Sequence, residues 1–211
     1  MRDVTLYLWA TPNSRRVSIL FCELGIEFRV QTVNIRQGEQ FADRITALNP
    51  AAKIPIVTWR EDAQLRVLFE SGAILSRFAE RSGRFLPPHG NARDEVMEWF
   101  MLALTSLGPI TGQTHHWSEL SKTRSDAALA HHRELAQRLY RLLDERLAGH
   151  RFLAGDYSIA DIAAYPWIAV SEWTTLDIRD FPHLQRWREE LADRPGVARG
   201  MGFPPGVTLS G

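Results

Sequence analysis

Residues 6–25 read LYLWATPNSRRVSILFCELG. From Val4 to Trp9 the chain is strand-like and apolar on both faces, as expected of a fully buried strand. That run stops at Thr11-Pro12-Asn13-Ser14. A helix-spaced run follows at once, with Val17, Leu20, Phe21 and Leu24 between Ser14 and Leu24, and Gly25 stands where a helix C′ residue belongs. A small polar turn between a buried strand and a buried helix is a place for a site. The helix N-terminus there presents unpaired N–H groups and a partial positive charge, which favour thiolates and carboxylates.

The surrounding pattern continues the alternation. "FRVQTVN" (28–34) reads as a second strand, and "EQFADRITALN" (39–49) as a short helix that Pro50 forbids from continuing. "IPIVTW" (54–59) and "LRVLF" (65–69) read as two strands. The short loop Arg60 to Gln64 between them requires an antiparallel pair. Ser71 to Arg81, carrying Ile74, Leu75 and Phe78, reads as a third helix. The order is βαβαββα, with a right-handed parallel crossover at its start.

Beyond "GRFLPPHGN" (83–91), whose paired prolines cannot enter a helix interior, the texture changes. Arg93 to Leu107, Thr123 to Leu147 and Leu184 to Leu191 read as amphipathic helices. Ser158 opens another in "SIAD", a capping box with Asp161 replacing the usual Glu. The Gly- and Pro-rich tail after Pro195 is expected on the surface. The chain therefore divides into an α/β domain over 1–86 and an all-α, helical domain over 91–211.

Composition limits the function classes. The 211 residues are 45% hydrophobic and 24% charged, with zero formal net charge, an ordinary globular balance. Basic residues occur only in short groups, so nucleic acid is not the expected partner. No apolar run reaches the ~20 residues of a membrane span, and the N-terminus enters a strand with no signal-peptide pattern. One cysteine, Cys22, excludes an intramolecular disulfide and fits a reducing compartment such as the cytoplasm. Within "SILFCEL" it reads as a buried small hydrophobe. His115-His116 and His131-His132 do not converge on a metal, because neighbours on a helix point about 100° apart. No metal is expected.

The whole arrangement resembles the soluble glutathione transferases. Four segments carry the resemblance: "TPNSRR" (11–16), "NPAAKIPIV" (49–57), "LFESGAILSRFAE" (68–80) and "YSIADIAAYPW" (157–167). "GEQF" (38–41) and "GPITGQTHHW" (108–117) make it most similar to the bacterial Nu class, whose members reduce disulfide bonds with glutathione. The resemblance implies a thioredoxin-like N-terminal domain, glutathione as co-substrate, a homodimer, and a disulfide or small electrophile as second substrate.

It also implies roles for particular residues. Thr11 replaces Ser in an S-x-x-x-R frame, and Thr11 with Asn13 is expected to hold the glutathione sulfur as a thiolate, the form that reacts. Read without the resemblance, both simply cap the helix, and Ser14 is a rival hydroxyl. A cis Ile54–Pro55 bond is implied, leaving Ile54's backbone groups to pair with the ligand as an added strand would. Lys53 is expected to face the glycyl carboxylate, Glu70 the γ-glutamyl ammonium, Ser71 its carboxylate, and Gln40 the ligand backbone. Tyr7, inside the strand, is read as core or as a structural hydrogen-bonder. His116 and Trp117 are candidates for the walls of an electrophile pocket or for dimer contacts. Arg138 matches the family pattern without a defined role.

One departure concerns the segment before "GP". Where the family pattern has an aromatic and a glutamine, this chain has Leu102 and Ala103, a more apolar wall. Two further readings stay open: a transferase or thiol lyase for aromatic or ether substrates, and a non-catalytic glutathione-binding adaptor that kept the fold.

Overall fold

The computed structural model describes residues 1–207. Two compact units are present. Of the described residues, 1–82 and 194–207 make up one and 83–193 the other. The last segment thus packs with the first unit rather than with the helical one. Of the tail expected on the surface, 208–211 lie outside the described residues.

In the first unit the elements are β1 (Arg2–Leu8), α1 (Pro12–Leu24), β2 (Arg29–Thr32), α2 (Asp43–Thr46), β3 (Ile56–Glu61), β4 (Gln64–Phe69) and α3 (Ser71–Ser82). The four strands form one sheet in the order β2-β1-β3-β4. β1 and β2 run parallel, and β1–β3 and β3–β4 run antiparallel, so the βαβαββα reading holds. The stretch read as a second helix, 39–49, is less regular. It is a 3₁₀ turn, Glu39–Phe41, followed by the single turn of α2. Gly38 opens it at φ 76°, a conformation glycine adopts at little cost.

β1 is not buried on both faces as its apolar composition suggests. Val4, Leu6 and Leu8 are buried, while Thr5 and Tyr7 are half-buried. Leu6 and Leu8 belong to the fully buried core with Leu20, Phe21, Ile74 and Leu75. Phe21 packs on Phe78 at 4.8 Å between ring centroids, and Trp59 meets Phe78 edge-on at 5.6 Å, both within the range of favourable aromatic pairs. A second cluster, Val33, Ile45 and Ile56, takes Tyr7, Leu48, Ile54 and Phe69 against it. Tyr7 is therefore a packing residue.

The tail segment from 195 folds into a helix, α9 (Pro195–Met201), against the sequence expectation of a surface tail. Its glycines explain the difference. A Cβ on Gly200 would stand 2.4 Å from Ile19 Cα, so the missing side chain lets the backbones of α9 and α1 approach. The Ser18 hydroxyl donates to Gly200 O at 2.7 Å, and Arg194 forks onto Glu23 with two 3.0 Å bonds. Cys22 is buried beneath this contact as a free thiol, and burial pushes its pKa up.

The second unit is helical: α4 (Asn91–Leu102), α5 (Gly108–His115), α6 (Asp126–Ala148), α7 (Ile159–Ile168) and α8 (Pro182–Ala192). π-helical turns at Ala103–Leu107 and His116–Leu120 extend α4 and α5. The capping box at the start of α7 is formed. Asp161 is fully buried and accepts from Leu153 N, Ser158 N and Trp187 Nε1 at 2.9–3.0 Å, and from the Ser158 hydroxyl at 3.3 Å. The adjacent histidines diverge as helical geometry requires: His115 is buried and stacks on Trp173 at 4.2 Å, while His116 is exposed.

Candidate functional site

The sheet topology decides where the sequence candidates meet. Tyr7, near the end of β1, pairs with Ile56 at the start of β3, and Ile56 pairs with Phe69 at the end of β4. Antiparallel pairing therefore sets three chain positions side by side at one edge. They are the turn into α1, the loop before β3 and the turn into α3. A cavity of about 110 Å³ opens there, lined by Asn13, Asn49, Lys53, Ile54, Pro55, Glu70 and Ser71. Six of the eight residues expected to hold glutathione thus share one cleft. Thr11 and Gln40 are outside its lining.

Thr11 is the N-cap of α1. It is extended, at φ −127° and ψ 150°, and accepts from Ser14 N at 3.3 Å while its hydroxyl donates to Ser14 Oγ at 3.0 Å. The helix starts at Pro12, two residues before the sequence expectation, because proline's fixed φ and missing N–H suit the first helical position. Asn13, one residue further, reaches the cleft. Gln40 sits in the 3₁₀ turn with its Oε1 buried and without a hydrogen-bond partner among the described residues. The residue is half-buried rather than a solvated surface glutamine.

The loop before β3 is held from within. The Ile54–Pro55 bond is cis. Asn49 is buried, its Nδ2 donates to Lys53 O at 2.9 Å, and its Oδ1 accepts from Ala51 N at 3.0 Å. One amide side chain thus fixes both sides of the bend that presents Lys53 and Ile54. Asn49 was visible in "NPAAKIP", but an Asn before Pro reads first as turn chemistry.

The third wall is the start of α3. Glu70 is exposed and takes φ 69°, a left-handed conformation uncommon for a non-glycine residue. Its carbonyl accepts from Ile74 N at 3.0 Å. α3 therefore begins at the cleft edge, where Glu70 and Ser71 line the cavity at the positive end of a twelve-residue helix. Ser71 is buried below, and Arg16 Nη1 donates to its hydroxyl oxygen at 3.2 Å. Arg16 is a second functional candidate that sequence reading missed, since the frame of the first turn points to Arg15.

In chemical terms the cleft offers an amide, an ammonium, the Ile54 backbone, which has no hydrogen-bond partner among the described residues, a carboxylate and a hydroxyl at a helix start. That set fits an extended peptide carrying both charges. Among the described residues no group of three or more His, Cys, Asp or Glu side chains could hold a metal, and no helix is long and apolar enough to cross a membrane. Of the two residues expected as an apolar wall in the helical unit, Ala103 is buried and Leu102 half-buried.

Residues 10–81 match the glutathione S-transferase N-terminal domain, and residues 94–195 match the glutathione S-transferase C-terminal domain. The disulfide-bond oxidoreductase YfcG of Escherichia coli is 32% identical over 204 residues, covering 94% of each chain. The disulfide-bond oxidoreductase YghU of the same organism is 34% identical over 212 residues, covering 92% of this chain and 73% of that one. A glutathione transferase from Pseudomonas putida, solved with one glutathione disulfide bound per subunit, superposes with a TM-score of 0.89. It is 30% identical, over 96% of this chain and 92% of that one.

Proposed function

The chain belongs to the glutathione S-transferase family, and from that premise we propose that it uses bound glutathione to reduce disulfide bonds. The observation that carries the reading is the single cleft that gathers Asn13, Lys53, Ile54, Pro55, Glu70 and Ser71. Glutathione lies extended along the Ile54 backbone, its glycyl carboxylate toward Lys53 and its γ-glutamyl end between Glu70 and Ser71. Its cysteine then falls at the start of α1. The oxidoreductases of similar sequence and the glutathione disulfide in the related Pseudomonas putida transferase support the choice of substrate.

The chemistry required is modest. A free thiol has a pKa of about 8.5. Lowering it by one unit takes about 1.4 kcal/mol of preferential stabilisation of the anion. The N-terminal charge of α1 contributes about 0.3–1 kcal/mol, and a hydrogen bond to a charged acceptor about 1.5–3. Thr11 supplies that bond by turning its proton from Ser14 Oγ to the sulfur, a stronger acceptor because it is charged. Asn13 supplies a second donor. The thiolate attacks one sulfur of the substrate disulfide, forming a glutathionyl mixed disulfide and expelling the other sulfur as a thiolate. A second glutathione thiolate attacks the glutathionyl sulfur, releasing glutathione disulfide and the second substrate thiol. The protein contributes no sulfur of its own.

The test is to titrate the ultraviolet absorbance of bound thiolate against pH in wild type, Thr11→Ala and Asn13→Ala. The thiolate pKa is expected to rise in both variants, and an unchanged value refutes these roles. The apolar residues Leu102 and Ala103 favour a second reading, transfer of glutathione to aromatic or ether electrophiles. Comparing turnover of a disulfide with that of a chlorinated aromatic separates the two. Tight glutathione binding with no turnover of either would mark an adaptor.

A further inference from the structure

The proposed site contains a cation that the reading above does not use. Arg16 lies on the second turn of α1, buried to 3% exposure, and donates Nη1 to the Ser71 hydroxyl oxygen. We propose that Arg16 is a positioning residue that makes the cleft selective for a free α-amino-acid end, acting through the Ser71 hydroxyl. The inference rests on the glutathione reading.

Two features carry it. The first is hydrogen-bond direction. A hydroxyl has one proton and two lone pairs. Arg16 occupies a lone pair of Ser71, and no acceptor among the described residues takes the Ser71 proton. That proton is available to the cleft, where Ser71 is part of the lining. Accepting from a cation also polarises the O–H and strengthens it as a donor to an anion. Ser71 is thereby fixed as a donor, suited to a carboxylate and unsuited to an ammonium.

The second is the order of charges. Glu70 is the neighbouring residue and lines the same cleft. Burial pulls the Arg16 guanidinium down to about 9 while the Glu70 carboxylate opposes that fall, so Arg16 stays cationic at neutral pH. A negative group at the rim and a positive one beneath the floor form a dipole opposite to that of an α-amino-acid head, ammonium to Glu70 and carboxylate to Ser71. A buried cation is costly to keep. Here its field is spent where water cannot screen it.

The experiment compares two peptides by calorimetric titration under reducing conditions: glutathione, and 4-aminobutyryl-cysteinyl-glycine, which lacks only the α-carboxylate. Wild type is expected to prefer glutathione. Arg16→Met is expected to reduce that preference by about 10- to 100-fold, the loss of one charge-assisted bond. Arg16→Lys, which keeps the charge, is expected to retain a measurable part of the preference. A merely structural role would weaken both peptides alike and leave their ratio unchanged, which overturns the proposal. If circular dichroism shows Arg16→Met to be unfolded, Arg16→Gln, which removes the charge but keeps a polar side chain, is read in its place, and an unchanged ratio again overturns it. Wild type that binds neither peptide refutes the glutathione reading itself. Wild type that binds glutathione with a preference indifferent to Arg16 refutes this inference alone.

Discussion

Asp161 allows a worked prediction, because its carboxylate is fully buried and every group around it is identified. It accepts from Leu153 N, Ser158 N and Trp187 Nε1 at 2.9–3.0 Å. Asp161→Ala strands those three N–H donors, at about 2 kcal/mol each, or about 6 in total. Against this stands the charge. Burial outweighs the hydrogen bonds and pushes the carboxyl up to about 6, whereas the unfolded chain titrates near 3.9. For an acid raised in this way, the folded state holds a proton that the unfolded state has lost between about pH 4 and pH 6. Asp161's own contribution to stability is thus most favourable below about pH 4 and falls by about 3 kcal/mol as pH rises through 6. Removing the carboxyl removes that penalty, so the net cost of Asp161→Ala is about 3 kcal/mol at pH 7 and about 6 near pH 4. Asp161→Asn keeps one accepting oxygen and turns an amide N–H₂ toward one stranded donor. Its loss of about 2 kcal/mol and its relief of about 3 nearly cancel at neutral pH, leaving it about 2 kcal/mol less stable than wild type near pH 4. Urea unfolding followed by tryptophan fluorescence at pH 4.5 and 7.5 measures both variants. The reasoning fails if Asp161→Asn differs from wild type by the same amount at both pH values, or if Asp161→Ala unfolds with wild type.

Asn49→Ala leaves Ala51 N and Lys53 O without the partner that bridges them. It is expected to cost about 2 kcal/mol and weaken glutathione binding by about tenfold, as read by unfolding and calorimetry together. Gly200→Ala puts a methyl 2.4 Å from Ile19 Cα, a backbone atom that cannot turn away. It is expected to destabilise by about 2–3 kcal/mol or more, whereas the atoms nearest a methyl at Gly196 belong to the Glu23 side chain, which can shift, so Gly196→Ala costs less. Scanning calorimetry of the pair checks the order. Cys22→Ala is expected to leave disulfide turnover within about twofold of wild type, because the thiol is buried and inert; a loss of turnover in a folded variant assigns the reactive sulfur to the protein instead.

Much of the architecture was legible because its signals are local. Thr11-Pro12, Gly25, Ser158 with Asp161 and the Arg60–Gln64 loop each declare an element boundary through cap or turn chemistry, and the structure puts boundaries within about two residues of them. The misreadings arose where a local pattern has two physical solutions. "VTLYLW" is apolar throughout, yet Tyr7 faces a smaller cluster and stays half-buried. "EQFADRITALN" has the composition of a helix, but Gly38 before it and Pro50 after it leave only a 3₁₀ turn and one turn of α2. Glycines near the C-terminus read as surface punctuation. At Gly196 and Gly200 the same lack of a side chain serves close helix packing, and nothing within the segment distinguishes the two uses.

The site divides along the same line. Its lining was legible because each contributor sits at the end of an element, and the strand pairings Tyr7–Ile56–Phe69 bring three such ends to one sheet edge. What tunes the lining is not carried by any one motif. Arg16 and Ser71 are 55 residues apart, and each alone reads as helix-start chemistry: an arginine after a capping turn, and a serine at a first position. Their partnership exists only once α1 and α3 lie side by side. A sequence reading therefore finds the groups that could touch a peptide, but not the buried cation that decides which way one hydroxyl points. Substitutions at Arg16 should accordingly alter which peptide is preferred, while substitutions at Lys53 should alter how tightly any of them is held.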